Sequence, residues 1–246
     1  MCSLTHFFTQ NQELARTPYF VQFGGKGHEE TKPSQKRNVL WYSLQLRHKT
    51  EEDLSMKRNV MWAPWIGPGL EHLHVQQIDE DIFADGLILG LNGQEPFRVR
   101  YEIYCDNQWR LRTVNLSLLS GSHQTLNFAT DGGGSWTDEA GNAIPSLSGC
   151  LDVDISVTPF TNTLPIRRLA LKPGMQATLN MVYIEVPLMQ ATARVQRYTC
   201  LEITPGGGRY LYESLENGIS VFTVELPVDS DELVIDYPGI FKRVWG

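Results

Sequence analysis

The sequence contains few cysteines and lacks any long apolar run. Its four cysteines, Cys2, Cys105, Cys150 and Cys200, are scattered among 246 residues without a C-x-x-C pair. This spacing argues against a zinc site or a disulfide framework and predicts isolated, reduced thiols. No stretch reaches the roughly 18 uncharged apolar residues that a membrane-spanning helix needs. Because the N-terminus also lacks the basic and apolar segments of a secretory signal, we expect a cytoplasmic protein.

An excess of positive charge is missing as well. The chain carries 28 acidic and 21 basic residues, which gives a formal net charge of −7. Nucleic acids and anionic membrane surfaces bind proteins through a basic face, so this balance argues against both as partners. Hydrophobic residues make up 41% of the chain and charged residues 20%. That composition provides enough apolar material for a folded core.

Residues 1–55 differ from the rest of the chain because they show no hydrophobic period. Residues 24–33 are rich in glycine and charged side chains, as flexible linkers are. The stretch KRNVLW at 36–41 is nearly repeated as KRNVMW at 57–62, through partial duplication of a strand or by chance. We predict that residues 1–55 form a poorly ordered N-terminal extension, either native or the product of an early start codon. Residues 56–246 would then be the folded domain.

From Met56 onward, apolar and polar residues alternate. Residues 97–105 read FRVRYEIYC, and the same alternation recurs over residues 151–158 and 222–228. A period of two is typical of half-buried antiparallel strands. Turn sequences such as Asn92-Gly93 and Asn217-Gly218 separate the runs. The pattern predicts an all-β roll or half-open barrel of roughly ten to twelve antiparallel strands, with one short helix over residues 165–171.

Two carboxylates and two arginines form the first group of candidate site residues. Asp152 and Asp154 lie two apart on a predicted strand, so they share a face opposite Leu151 and Val153. They could act as an acid–base pair or bind a metal, or they could belong to a solvated face. Adjacent residues of an extended run point to opposite sides. We therefore expect one arginine of the pair at 167–168 to bind an aspartate through two N–H groups, and the other to face solvent or a cavity mouth.

Aromatic residues form the second group. The chain after Met56 has many tryptophans and tyrosines, which either fill the core or line an apolar cavity with their polar tips toward a ligand. The candidates among them are Trp62, Trp109, Tyr198 and Tyr212. His72 and His74 also share a strand face, but no third ligand stands at useful spacing. We therefore predict no metal site and no cofactor.

Two blocks of sequence resemble a known family. They are GCLDVD at 149–154 and TPFTNTLPIRRL at 158–169, and they are similar to the signature of the putative glycolipid-binding family, formerly a domain of unknown function. Weaker similarities follow in the same order as in the family: GPGLE at 67–71, QRYT at 196–199, YES at 212–214 and DYPG at 236–239. The resemblance covers residues 57–246. It implies a spiral β-roll, similar to the bacterial lipoprotein carriers, with a hydrophobic cavity, and it carries over no catalytic residue.

The residues and the resemblance together favour non-enzymatic binding of a glycolipid or another amphipathic apolar ligand. The predicted ligand-binding residues are Trp62, Trp109, Asp152, Asp154, Arg167, Arg168, Tyr198 and Tyr212. The charged residues among them, the two aspartates and the two arginines, would lie near the rim of the cavity and bind the polar or sugar head group. One alternative is an enzyme that acts on a glycoconjugate or an isoprenoid-like substrate, with the two aspartates as acid and base. Another is a structural module with a filled core.

Overall fold

Alternating residues form strands throughout the part of the chain that a computed structural model describes, residues 54–121 and 123–246. The strands are β1 Leu54–Pro64, β2 Leu70–Ile78, β3 Asp81–Asn92, β4 Glu95–Asp106, β5 Leu111–Leu118, β6 Thr125–Thr130, β7 Trp136–Thr137, β8 Cys150–Ile155, β9 Gln176–Glu185, β10 Gln190–Thr204, β11 Gly207–Glu216, β12 Ile219–Asp229, β13 Asp236–Tyr237 and β14 Phe241–Trp245. The predicted extension lies outside the described residues, apart from the backbone of residues 54 and 55, which begins β1. The all-β prediction is confirmed.

Helical structure is sparse in the described residues. Two 3-10 turns, Pro145–Leu147 and Phe160–Asn162, accompany one α-helix, α1 (Thr163–Leu169). This helix begins and ends two residues before the predicted one, and the residue that follows it, Ala170, has a left-handed φ of 45°. Proline is tolerated in the first turn of a helix because its missing N–H has no partner there. Within the described residues, no helix has the length and apolarity to cross a membrane.

The strands form two sheets. Nine strands run in the order β13-β14-β1-β2-β3-β4-β5-β6-β7, and five run in the order β12-β11-β10-β9-β8. The prediction of antiparallel strands holds for all described pairs except one, since β8 and β9 are parallel. Parallel neighbours need a crossover of roughly a dozen residues or more. Residues 156–175, which include α1, provide that crossover, and strand periodicity alone does not show it.

The nine-stranded sheet buries one face. On β4 the alternate residues from Phe97 to Cys105 are buried, as their spacing predicts. Gly86 on β3 pairs with Tyr101 on β4, and a Cβ atom on Gly86 would overlap the tyrosine ring. Gly90 makes room for the Phe97 ring in the same way. Glycine therefore lets two large rings lie flat across a neighbouring strand.

Part of the segment between β8 and β9 is buried between the two sheets. Residues 158–166 are all buried. Phe160 and Leu164 pack into the core of the nine-stranded sheet, whereas Ile166 packs with residues of the five-stranded sheet such as Met181 and Tyr198. The segment thus places its polar side chains between two apolar cores, where each needs a hydrogen-bond partner.

The described cysteines are buried and unpaired. Cys105, Cys150 and Cys200 are free thiols, which confirms the prediction for these three, and Cys2 lies outside the described residues. His72 is exposed and His74 is partly buried. No group of three or more metal-ligating side chains occurs in residues 54–121 and 123–246.

Candidate functional site

A pocket opens at one end of the nine-stranded sheet. Its volume is about 340 Å³, which lies in the lower part of the range of about 300–1,000 Å³ found for ligand sites. The walls are the loop between β1 and β2, the end of β3 from Ile88 to Asn92, and Phe97 of β4. Val157 and Pro187, which follow β8 and β9, close the other side. We call this cavity the end pocket.

The side chains that line the end pocket are exposed at one end of it and buried at the other. Ile66 and Leu91 are 88% and 42% exposed, so they mark the mouth. Trp62, Ile88 and Glu71 are at most 4% exposed, so they mark the inner end. Nearly all the described lining side chains are apolar. Glu71 is the only charged residue in that lining. The end pocket therefore resembles an apolar ligand site with one polar group at its inner end.

Glu71 is held on one carboxylate oxygen only. The hydroxyl of Tyr101 donates a hydrogen bond to Oε1 at 2.6 Å, and the hydroxyl of Thr158 donates to the same oxygen at 2.7 Å. The other oxygen, Oε2, is buried and accepts no hydrogen bond from the described residues. Burial raises the pKa of Glu71 to about 7, against the lowering effect of the two hydrogen bonds. The carboxyl group therefore changes charge near neutral pH.

Alternation along β2 places Glu71 inside. Leu73 and Val75, two and four residues further, are both fully buried on the same face. Tyr101 reaches Glu71 because Gly86 leaves room for its ring. Glu71 is not among the predicted site residues, although it lies in the GPGLE block. An acidic residue in the apolar phase of a strand was the signal that could have identified it.

Asp152 and Arg168 form a buried ion pair in the second region, which we call the aspartate cluster (Asp152, Asp154, Arg168 and Gln196). Nε of Arg168 donates to Oδ2 of Asp152 at 3.0 Å, and Nη2 donates to the same atom at 2.5 Å. Asp152 is fully buried, so the solvated-face interpretation is wrong for it, while the predicted pairing through two N–H groups is confirmed. Burial raises the pKa of Asp152, and the bonds from Arg168 oppose that rise.

Asp154 has neutral partners instead. Nε2 of Gln196 donates to Oδ2 at 2.6 Å, and the Thr161 hydroxyl donates to Oδ1 at 3.4 Å. Desolvation raises the pKa of Asp154, and these hydrogen bonds lower it. The Tyr198 hydroxyl donates to Oδ1 of Asn162 at 2.8 Å, and Tyr212 packs edge-on against Tyr198 with the ring centroids 5.4 Å apart. The aspartate cluster is thus largely satisfied by its own neighbours.

Arg167 does not face solvent or a cavity mouth, so that expectation is wrong. Its guanidinium lies 4.6 Å from the centroid of the Trp109 ring, and its Nε and Nη2 donate to the backbone oxygen of Asp231 at 2.9 and 2.7 Å. Consecutive residues of a helix are separated by about 100° rather than pointing to opposite sides. Both arginines of α1 therefore reach protein partners.

The predicted site residues do not form one site: Trp62 lines the end pocket and the others lie outside its lining. Trp62 lines the end pocket, and its indole N–H donates to the backbone oxygen of Val234 at 2.8 Å. The structure brings Asp152 to Arg168 and Arg167 to Trp109, but these four residues and Asp154, Tyr198 and Tyr212 are not part of the end-pocket lining. Ligand binding by those seven residues stays a prediction.

Comparison with known proteins identifies the family. The family model described as putative glycolipid-binding matches residues 59–243. A crystal structure of a DUF1089 family protein from Pseudomonas aeruginosa is 36% identical, covers 73% of this chain and 95% of its own, and superimposes with a TM-score of 0.61. No curated protein matches the chain. The match spans most of the chain, including all the elements that form the end pocket and the aspartate cluster, so the chain belongs to the putative glycolipid-binding family.

Proposed function

We propose that residues 56–246 bind the apolar chain of a glycolipid, or of a similar amphipathic ligand, in the end pocket and catalyse no reaction on it. The observation that carries the proposal is an apolar cavity with an open mouth and a buried inner end. Each CH₂ group that enters such a cavity contributes roughly 0.8 kcal/mol. The family description supports the same class of ligand.

The geometry favours binding over acid–base catalysis by the aspartates. Asp152 has no exposed surface and pairs with Arg168, and Asp154 accepts hydrogen bonds on both oxygens. A catalytic acid or base must come within hydrogen-bond reach of the substrate. Glu71 is the one titratable side chain among the described lining residues of the end pocket. A two-carboxylate mechanism therefore has no second group there.

Native mass spectrometry of the full chain, purified without added lipid, tests the proposal. We expect a bound mass that organic solvent extracts, and displacement of that mass by decanol. Val157→Trp should weaken decanol binding at least tenfold, because Val157 is only partly buried at the wall and a larger ring would fill the cavity.

The matched control is Val221→Trp, which makes the same change at a 54% exposed position of β12. It should bind decanol as the native chain does. If the native chain binds no lipid and no decanol up to the aqueous solubility of decanol, or if both variants bind equally well, the end pocket is not the ligand site.

A further inference from the structure

The end pocket offers a ligand one acceptor and no positive charge. None of its described lining side chains is lysine, arginine or histidine, and Glu71 is the only carboxylate. An anionic head group at the inner end would lie beside a like charge without a counterion, which is costly in a desolvated site. The described lining thus carries a single acidic group and no basic one.

The two hydrogen bonds to Glu71 leave one oxygen for another donor. Tyr101 and Thr158 both donate to Oε1, so they fix the carboxyl group while Oε2 keeps its acceptor capacity. A buried polar atom without a partner is unfavourable, and a donor supplied by a ligand would remove that penalty. Glu71 is one of the residues that line the end pocket, so a donor group of a ligand at the inner end lies next to this carboxyl group.

We propose that Glu71 accepts a hydrogen bond from a hydroxyl or ammonium group of an amphipathic ligand at the inner end of the end pocket, and that the pocket rejects anionic amphiphiles. This inference rests on the proposed function, because it requires that the apolar part of the ligand occupies the same cavity. It narrows the ligand class to neutral or cationic amphiphiles whose polar group donates hydrogen bonds.

Three probes with the same apolar chain test the inference: decanol, decylamine and decanoate. At a pH above the pKa of Glu71, we expect the full chain to bind decylamine and decanol at least tenfold more tightly than decanoate. Isothermal titration below the micelle concentration gives the three dissociation constants. The two donor probes distinguish a hydroxyl ligand from an amine ligand.

Glu71→Gln is the decisive variant. The amide keeps an oxygen for Tyr101 and Thr158 and replaces Oε2 with an N–H₂ group, so the preference for decylamine over decanoate should fall at least tenfold. Glu102→Gln makes the same change of charge on the other face of the sheet, where Glu102 pairs with Arg100. This control should keep the preference of the native chain.

A measurement on the native chain covers the case in which Glu71→Gln does not fold. Tyr101 is the other titratable side chain in contact with Glu71, and burial raises its pKa well above its ordinary value, so it stays neutral. The affinity ratio of decylamine to decanol should fall at least tenfold from two pH units above the pKa of about 7 to two units below it. Neither probe changes its own charge in that window.

The outcomes separate the two proposals. If none of the probes binds, the proposed function is wrong and this inference with it. If all of them bind equally well, or if Glu71→Gln folds and keeps the native preference, the inference alone is wrong and the end pocket is a site without charge selection.

Discussion

Two buried carboxylates in this protein have opposite surroundings. Asp152 in the aspartate cluster receives two charged hydrogen bonds from Arg168, whereas Glu71 in the end pocket receives two neutral hydrogen bonds on one oxygen and none on the other. Both are at most 3% exposed. The two carboxylates are thus equally buried, but Asp152 has a cationic partner whereas Glu71 has one oxygen without a hydrogen-bond partner.

The difference has consequences for the stability of the free protein. A buried charge with an opposite charge beside it stabilises a particular arrangement of the chain, although the pair as a whole contributes little beyond a well-packed apolar pair. A buried acceptor without a donor destabilises the free protein unless a ligand satisfies it. The aspartate cluster therefore has the features of a structural element, and the end pocket those of a binding site.

The largest expected effect comes from breaking the ion pair. Arg168→Leu leaves Asp152 buried without a cation, which should lower the free energy of unfolding by about 3–5 kcal/mol. Urea denaturation measures the loss. Arg209→Leu is the control, since Arg209 is 47% exposed and its ion pairs should contribute about 0–1 kcal/mol. Similar losses in the two variants would contradict a structural role that is specific to the aspartate cluster.

Glu71 should make the stability depend on pH. Because folding raises the pKa of this acid from an ordinary value of 4.5 to about 7, the folded state binds the proton more tightly. Stability should therefore fall as pH rises between these two values, by roughly 3 kcal/mol. The comparison is urea unfolding of the native chain and of Glu71→Gln across this range. Parallel pH profiles would show that Glu71 is not the group responsible.

Gly86→Ala tests whether the space at Gly86 holds the Tyr101 ring in place for its hydrogen bond to Glu71. The new methyl group would overlap the Tyr101 ring, and displacement of that ring should lower the stability by about 1–3 kcal/mol and weaken its bond to Glu71. Gly206→Ala is the matched control, because a Cβ at Gly206 meets no atom within 4 Å, and it should change the stability by less than about 0.5 kcal/mol. Equal effects would mean that the ring can move without loss.

The smallest effect is expected from removal of residues 1–55. The family model begins at residue 59, and both compared regions lie after Met56. A chain that starts at Met56 should melt within about 2–4 °C of the full chain, the shift that corresponds to about 1 kcal/mol at this size. It should also keep the affinity for decanol. A much lower melting temperature would show that the extension stabilises one of the two regions.

Several features followed from the sequence because they depend on local spacing. The period of two on β4 identifies the buried positions from Phe97 to Cys105, since side chains of a strand alternate between faces. The Asp-x-Asp strand followed closely by two arginines predicted that one arginine would pair with one of the aspartates, and Arg168 pairs with Asp152. The expected orientation of Arg167 was wrong, because the alternation of an extended strand does not apply to residues 167 and 168, which lie in the short helix predicted over residues 165–171.

The end pocket could not be predicted in the same way. Its walls come from β1–β4, from β14 and from residues that follow β8 and β9, and these segments meet only in the tertiary structure. The parallel pairing of β8 and β9 also depends on the route of the crossover. Periodicity reports which face of a strand is buried and carries no information on which distant segments meet there.

The sequence by itself therefore identified most of the strands, the buried face of strands such as β4, and the family, because each depends on residues close together in the chain. The tertiary structure decided the surroundings of Glu71. Tyr101 is 30 positions away from Glu71 and Thr158 is 87 positions away. Whether a buried carboxylate has all its partners is settled by packing between distant segments, and at Glu71 that packing leaves one oxygen without a hydrogen-bond partner among the described residues.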